Sequence, residues 1–132
     1  MPKKQHTGMR AVYLVAAELE ERNWTVSLTS RNAPGADLLV TNESCNRAYT
    51  VQVKSNAGHT TNFWLVGSNA KRLSCRTHIY VFVNGAKGSN QEYYVVPSAV
   101  VKRRTTEDKG GFFAFSRVGA DKYKHAWKTF RR

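Results

Sequence analysis

Two apolar β-segments separated by a short polar run constrain this chain more than any other feature. Asp37-Leu-Leu-Val-Thr and Tyr49-Thr-Val-Gln-Val-Lys-Ser flank Asn42-Glu-Ser-Cys-Asn-Arg. Strands this close in sequence pair as an antiparallel hairpin. Side chains alternate between the faces of a strand, so Thr50, Gln52 and Lys54 share one face. A turn centred between Ser44 and Cys45 sets Asp37 opposite Gln52; one centred between Cys45 and Asn46 sets it opposite Lys54. Either register gathers Asp37, Gln52 and Lys54 on a single face.

The remaining elements follow from periodicity. Residues 1–8 read as a short polar tail. From Met9 to Arg22, Val12, Val15, Ala16 and Leu19 recur at helical spacing, and Asn23 is placed to cap that helix in a left-handed conformation. Trp24 to Leu28 alternates as a strand, and Asn32-Ala-Pro-Gly-Ala marks a loop. The almost wholly apolar 37–41 segment predicts a sheet covered on both faces. Further on, Phe63–Val66, His78–Val83 and Glu92–Val96 read as strands, and 68–73 as a helical turn. Pro97-Ser98 opens a short helix through Arg104. Thr105 to Gly111 reads as a charged loop. Tyr123, Ala126, Trp127 and Phe130 predict a helix over 120–130. No repeat or second domain is evident, so residues 1–132 are expected to form one domain ending in a basic extension over 105–132.

Charge narrows the partner. Twenty-one Lys and Arg against nine Asp and Glu give a net charge of +12 in 132 residues. Ten basic and three acidic residues fall within 101–132. A field of that sign attracts polyanions, of which nucleic acid is the commonest. No apolar run approaches the roughly 20 residues a membrane span requires. Cys45 and Cys75 match neither a zinc spacing nor a disulfide framework and are expected to be reduced thiols of a cytoplasmic protein.

Gln and Lys at sheet positions where Val or Ile would pack call for a reason, since a lone buried ammonium is costly. One is structural: an Asp37–Lys54 ion pair. The other is chemical. A hard divalent cation such as Mg²⁺ or Mn²⁺ takes oxygen ligands, with one or two carboxylates and several waters. Asp37 offers a carboxylate, Gln52 an amide oxygen and Val53 a backbone carbonyl. Lys54 beside them is suited to stabilise charge developing on a phosphoryl group.

The order helix, strand, Gly35-Ala-Asp37-Leu-Leu-Val, then Val51-Gln-Val-Lys54-Ser resembles the core of the PD-(D/E)XK, or restriction-endonuclease-like, nuclease superfamily and its Holliday-junction-resolvase-like members. Tyr13-Leu-Val-Ala-Ala-Glu-Leu-Glu-Glu-Arg-Asn-Trp-Thr-Val and Tyr80-Val-Phe-Val…Tyr93-Tyr-Val-Val-Pro extend the likeness over residues 8–104. The resemblance implies an α/β (α+β) fold with an αβββαβ core and a mixed sheet flanked by helices. It also implies Mg²⁺- or Mn²⁺-dependent cleavage of DNA, with Asp37 as metal ligand, Gln52 in the usual Glu or Asp position, and Lys54 as the catalytic Lys. Two departures stand out. Gln52 removes a formal charge from the site. The Glu that resolvase-like members carry early in the first helix is matched by Val12, leaving Glu18 as the nearest substitute.

Contacts with nucleic acid are expected from His59, which follows Lys54 in a loop, and from Lys102, Arg103, Arg104, Arg117, Lys122, Lys124, Lys128, Arg131 and Arg132. Trp64, Trp127 and Phe130 are expected in the core rather than stacked on bases. A homodimer formed through a strand edge is compatible with the pattern. The rival reading keeps the fold as a DNA-binding or DNA-structure-recognition module without catalysis.

Overall fold

The computed structural model describes residues 3–30 and 35–132. The first helix, α1, spans Lys3–Glu21. The expected tail is therefore largely helix, because Lys3, Lys4 and Gln5 are good helix formers and simply prolong it. The Arg10 guanidinium bonds to the carbonyl oxygens of Ala86 and Gly88, fixing α1 to the loop that precedes the last strand of the main sheet. Asn23 adopts φ 69° and ends the helix as expected.

Five strands form the main sheet: β1 (Thr25–Leu28), β2 (Leu38–Thr41), β3 (Ala48–Ser55), β5 (His78–Asn84) and β6 (Glu92–Pro97), in that spatial order. β3 and β5 run parallel and every other neighbouring pair is antiparallel. The parallel crossover carries β4 (Phe63–Val66) and α2 (Asn69–Arg72). A short helix, α3 (Ser98–Arg104), follows β6. β4 then pairs with β8 (Phe113–Ser116), which pairs with β7 (Thr106–Glu107), making a second, three-stranded sheet. The expected loop over 105–111 thus contains a strand, and β8 had no counterpart in the sequence reading.

Alternation along the strands builds two cores. Val12, Val15 and Leu19 of α1 pack with Leu38, Val51, Val53, Ile79, Val81 and Val83 on one face. On the other, Tyr80, Phe82 and Val96 pack under Trp64, Val101 and Phe115. The second core stops short of β2, however. Leu38 and Val40 are fully buried, whereas Leu39 is 47% exposed. β2 is covered on one face only, because β4, α2 and α3 lie over β5 and β6 and do not reach it.

The C-terminal segment also departs from expectation. Asp121–Tyr123 and Trp127–Thr129 are separate 3₁₀ turns, not one helix. Between them Lys124 bridges to Tyr94 and His125 takes φ 55°. The segment must carry Ala120 and Tyr123 to one core, and Trp127 and Phe130 to the other. A continuous helix presents one stripe and cannot serve both faces of a sheet.

Candidate active site

The hairpin register is Leu38↔Val51, which sets Asp37 opposite Gln52, the first of the two registers compatible with the sequence. Asp37 Oδ2 accepts hydrogen bonds from Gln52 Nε2 at 2.9 Å and from the Val53 N–H at 2.8 Å. Its own backbone N–H donates to the Val51 carbonyl at 2.7 Å, and its carbonyl accepts from Thr29 N–H at 3.0 Å. The side chain is thereby held at the start of β2, on the face left uncovered by the second core.

Burial pushes the Asp37 carboxyl above its ordinary range, against the Val53 N–H and the Lys54 ammonium, which pull it down. The two side chains therefore sense one another. They do not form an ion pair: within the described residues no contact of 4 Å or less joins them. Lys54 is half-buried, lies beside Phe82 in the parallel register, and faces a cleft of about 550 Å³. Lys4 and Lys87 line the same cleft with the exposed Phe63 and Leu65, and no acidic side chain does. Neither Lys4 nor Lys87 stood out in the sequence. Lys4 comes to the cleft because α1 starts early, and Lys87 because the β5–β6 loop folds back.

The other predicted site residues are dispersed. Glu18 pairs with Arg22 at 3.1 Å on the α1 side of the sheet, near enough to Tyr93 of β6 to affect its hydroxyl. β6 stands three strands from β2, so Glu18 is not brought to Asp37. Among the described residues no three His, Cys, Asp or Glu side chains gather as a metal cluster. His59 Nδ1 and Lys124 Nζ both contact Glu92, at 3.1 and 2.7 Å, and the hydrogen bond from Lys124, with a smaller contribution from His59, holds the Glu92 carboxyl below its usual range. The His59 ring lies against Gly85, at φ +76°, where any Cβ would collide with it.

Arg104 donates to the Val118 carbonyl at 2.9 Å and covers the Phe115 ring; Arg117 bonds to Asn62; Lys122 lies over Tyr123. Lys102 and Arg103 are exposed on α3, and Lys128 lines a different cleft. Arg132 bonds to the Arg22 carbonyl. Much of the expected basic surface is thus engaged within the fold. Trp64, Trp127 and Phe130 are buried as expected, and Cys45 and Cys75 are free and exposed. No described helix is long and apolar enough to cross a membrane.

No family model and no curated protein matches the chain in sequence. Solved structures do. A bacterial homing endonuclease, I-Ssp6803I, superposes with a TM-score of 0.63 at 18% identity, over 97% of this chain and 91% of that one. Hjc, a Holliday junction resolvase from the archaeal hyperthermophile Archaeoglobus fulgidus, superposes with a TM-score of 0.62 at 10% identity, over 93% of this chain and all of the other. At such identities the likeness speaks to architecture alone. The arrangement of first helix, β2–β3 hairpin and mixed sheet is that of the restriction-endonuclease-like fold expected from the sequence.

Proposed function

We propose that this protein is a metal-dependent DNA endonuclease whose reacting face is formed by Asp37, Gln52 and Lys54. The observation that carries the reading is Lys54, whose ammonium lies within electrostatic reach of the half-buried Asp37 carboxylate yet makes neither an ion pair nor a hydrogen bond among the described residues. A merely structural pair would close to contact, because desolvation of both charges is offset only by good geometry. A charge held back from its partner is available to a third one.

The residues fit a divalent cation. Asp37 spends Oδ2 on Gln52 and Val53 and leaves Oδ1 without a hydrogen bond among the described residues. A carboxyl whose protonated form is favoured by burial is also one that a cation would return to its charged form. Asp37 and Gln52 would hold the metal with the Val53 carbonyl. When bound, a divalent ion supplies Lewis-acid polarisation of the phosphoryl oxygen and a more acidic water. The chain's own groups do the remainder. Gln52 and the Val53 N–H orient Asp37, Lys54 stabilises charge developing on the phosphate, and Lys4 and Lys87 draw the polyanion into the cleft.

A single carboxylate with a neutral amide favours weak metal binding. That keeps a second reading in view: a DNA-recognition module of the same fold with no catalysis. Incubation with supercoiled, linear and branched DNA, with Mg²⁺ or Mn²⁺ and with chelator, separates the two. Metal-dependent cleavage that Asp37→Ala abolishes is expected. Salt-sensitive binding with no cleavage under any metal would leave the recognition module.

A further inference from the structure

A second cleft, of about 1020 Å³, is larger than the one beside Lys54. It opens at the opposite end of β3, between the starts of β3 and β5 and the C-terminal segment. Arg47, Arg76, Lys128 and Arg131 line it, and no Asp or Glu does. Its walls are fixed. The Tyr49 hydroxyl donates to the Arg131 carbonyl at 3.0 Å and accepts from the Arg131 N–H at 2.9 Å. Ser98 Oγ donates to the Cys75 carbonyl at 2.8 Å and accepts its N–H at 3.0 Å.

These four basic side chains differ from several others. Arg10, Arg22, Arg104, Arg117, Lys124 and Arg132 are each bonded to the fold. Among the described residues, the side chains of Arg47, Arg76, Lys128 and Arg131 make no ion pair or hydrogen bond. Four like charges around one cleft give it a positive potential that favours an anion there. An extended anion such as a nucleic-acid strand could reach both this cleft and Lys54. Ala48 to Lys54 is six residues along a continuous strand, about 20 Å at ~3.3 Å per residue. A DNA strand advances about 3.4 Å per nucleotide, so the cleft lies about six nucleotides from Lys54.

We propose that this cleft holds phosphodiester backbone of the same nucleic acid, about six nucleotides from the linkage at Lys54. The inference rests on the nucleic-acid part of the function proposed above and not on cleavage. Cys75 lines the cleft and is exposed, while Cys45, also exposed, does not line it, so the unaltered protein carries its own probe and its own reference.

In chelator, with no cleavage, a bound duplex of about 20 base pairs should slow alkylation of Cys75 several-fold, with Cys45 little changed. An Arg76→Glu/Lys128→Glu variant should lower the salt slope of DNA binding by about two. Equal alkylation of Cys75 with and without bound DNA would overturn the proposal. So would an unchanged salt slope in that variant, protection by an acidic polypeptide but not by DNA, or no DNA binding at all. Loss of cleavage chemistry with Cys75 protection intact would instead count against the endonuclease reading alone.

Discussion

The two faces of β3 are made of the same strand and have opposite fates. Tyr49, Val51 and Val53 are buried against α1 and the C-terminal segment. Thr50, Gln52 and Lys54 stay half-exposed, because the second core ends before it reaches β2. Burial on the first face is what stabilises the sheet. The second tolerates an amide, an ammonium and a carboxylate because solvent and the cleft still solvate them. Packing and the proposed chemistry therefore fall on opposite faces of one strand, and substitutions on the two faces should fail in different ways.

The largest effect should come from the packed side. Leu19→Ala empties a fully buried position of the α1 core and should cost about 2–5 kcal/mol in urea unfolding. Cleavage per folded molecule should be kept at temperatures below the transition. A loss of activity without loss of stability would break the separation.

Gln52→Glu sharpens it from the other side. The change removes a donor to Asp37 and sets two carboxylates together, so in chelator it should lower the melting temperature. Mn²⁺ should raise that temperature by more than in the wild type, since a ligand that binds only the folded state stabilises it by mass action. A metal-induced shift no larger than the wild type's would count against Gln52 as a metal position.

The smallest effect is expected for Asp37→Asn. Burial raises the folded-state pKa of Asp37 above its ordinary 3.8, so the folded state favours the protonated form. Stability from this group is complete below the unfolded value and is lost as pH rises through the shifted one. A neutral Asn in chelator should therefore melt slightly higher than the wild type near pH 7, and the gap should close towards pH 4. A gap that widens on acidification would reverse the assignment.

The strand pairing and its polar face were legible because period-2 alternation and a short polar turn leave few registers, and Asp37, Gln52 and Lys54 follow from that. The C-terminal third was not. Tyr123, Ala126, Trp127 and Phe130 have helical spacing, yet they divide between two cores on opposite sides of the sheet, and local pattern carries no trace of which core a residue joins. The division of cations was equally hidden. Lys124 and Lys128 are alike in sequence, but only coordinates show Glu92 holding the first and an open cleft beside the second. Leu39 misled in the same way, its apolar side chain suggesting a covering layer that stops one strand short.

The most direct test measures the stability and the cleavage rate of Lys54→Ala in parallel. Because Lys54 makes no ion pair among the described residues, its removal should leave the free energy of unfolding within about 0.5 kcal/mol of the wild type. Metal-dependent cleavage of plasmid DNA should fall about 100- to 1000-fold, the usual cost of losing one group that stabilises transition-state charge. Undiminished cleavage by Lys54→Ala, or a loss of stability matching its loss of activity, would contradict the account.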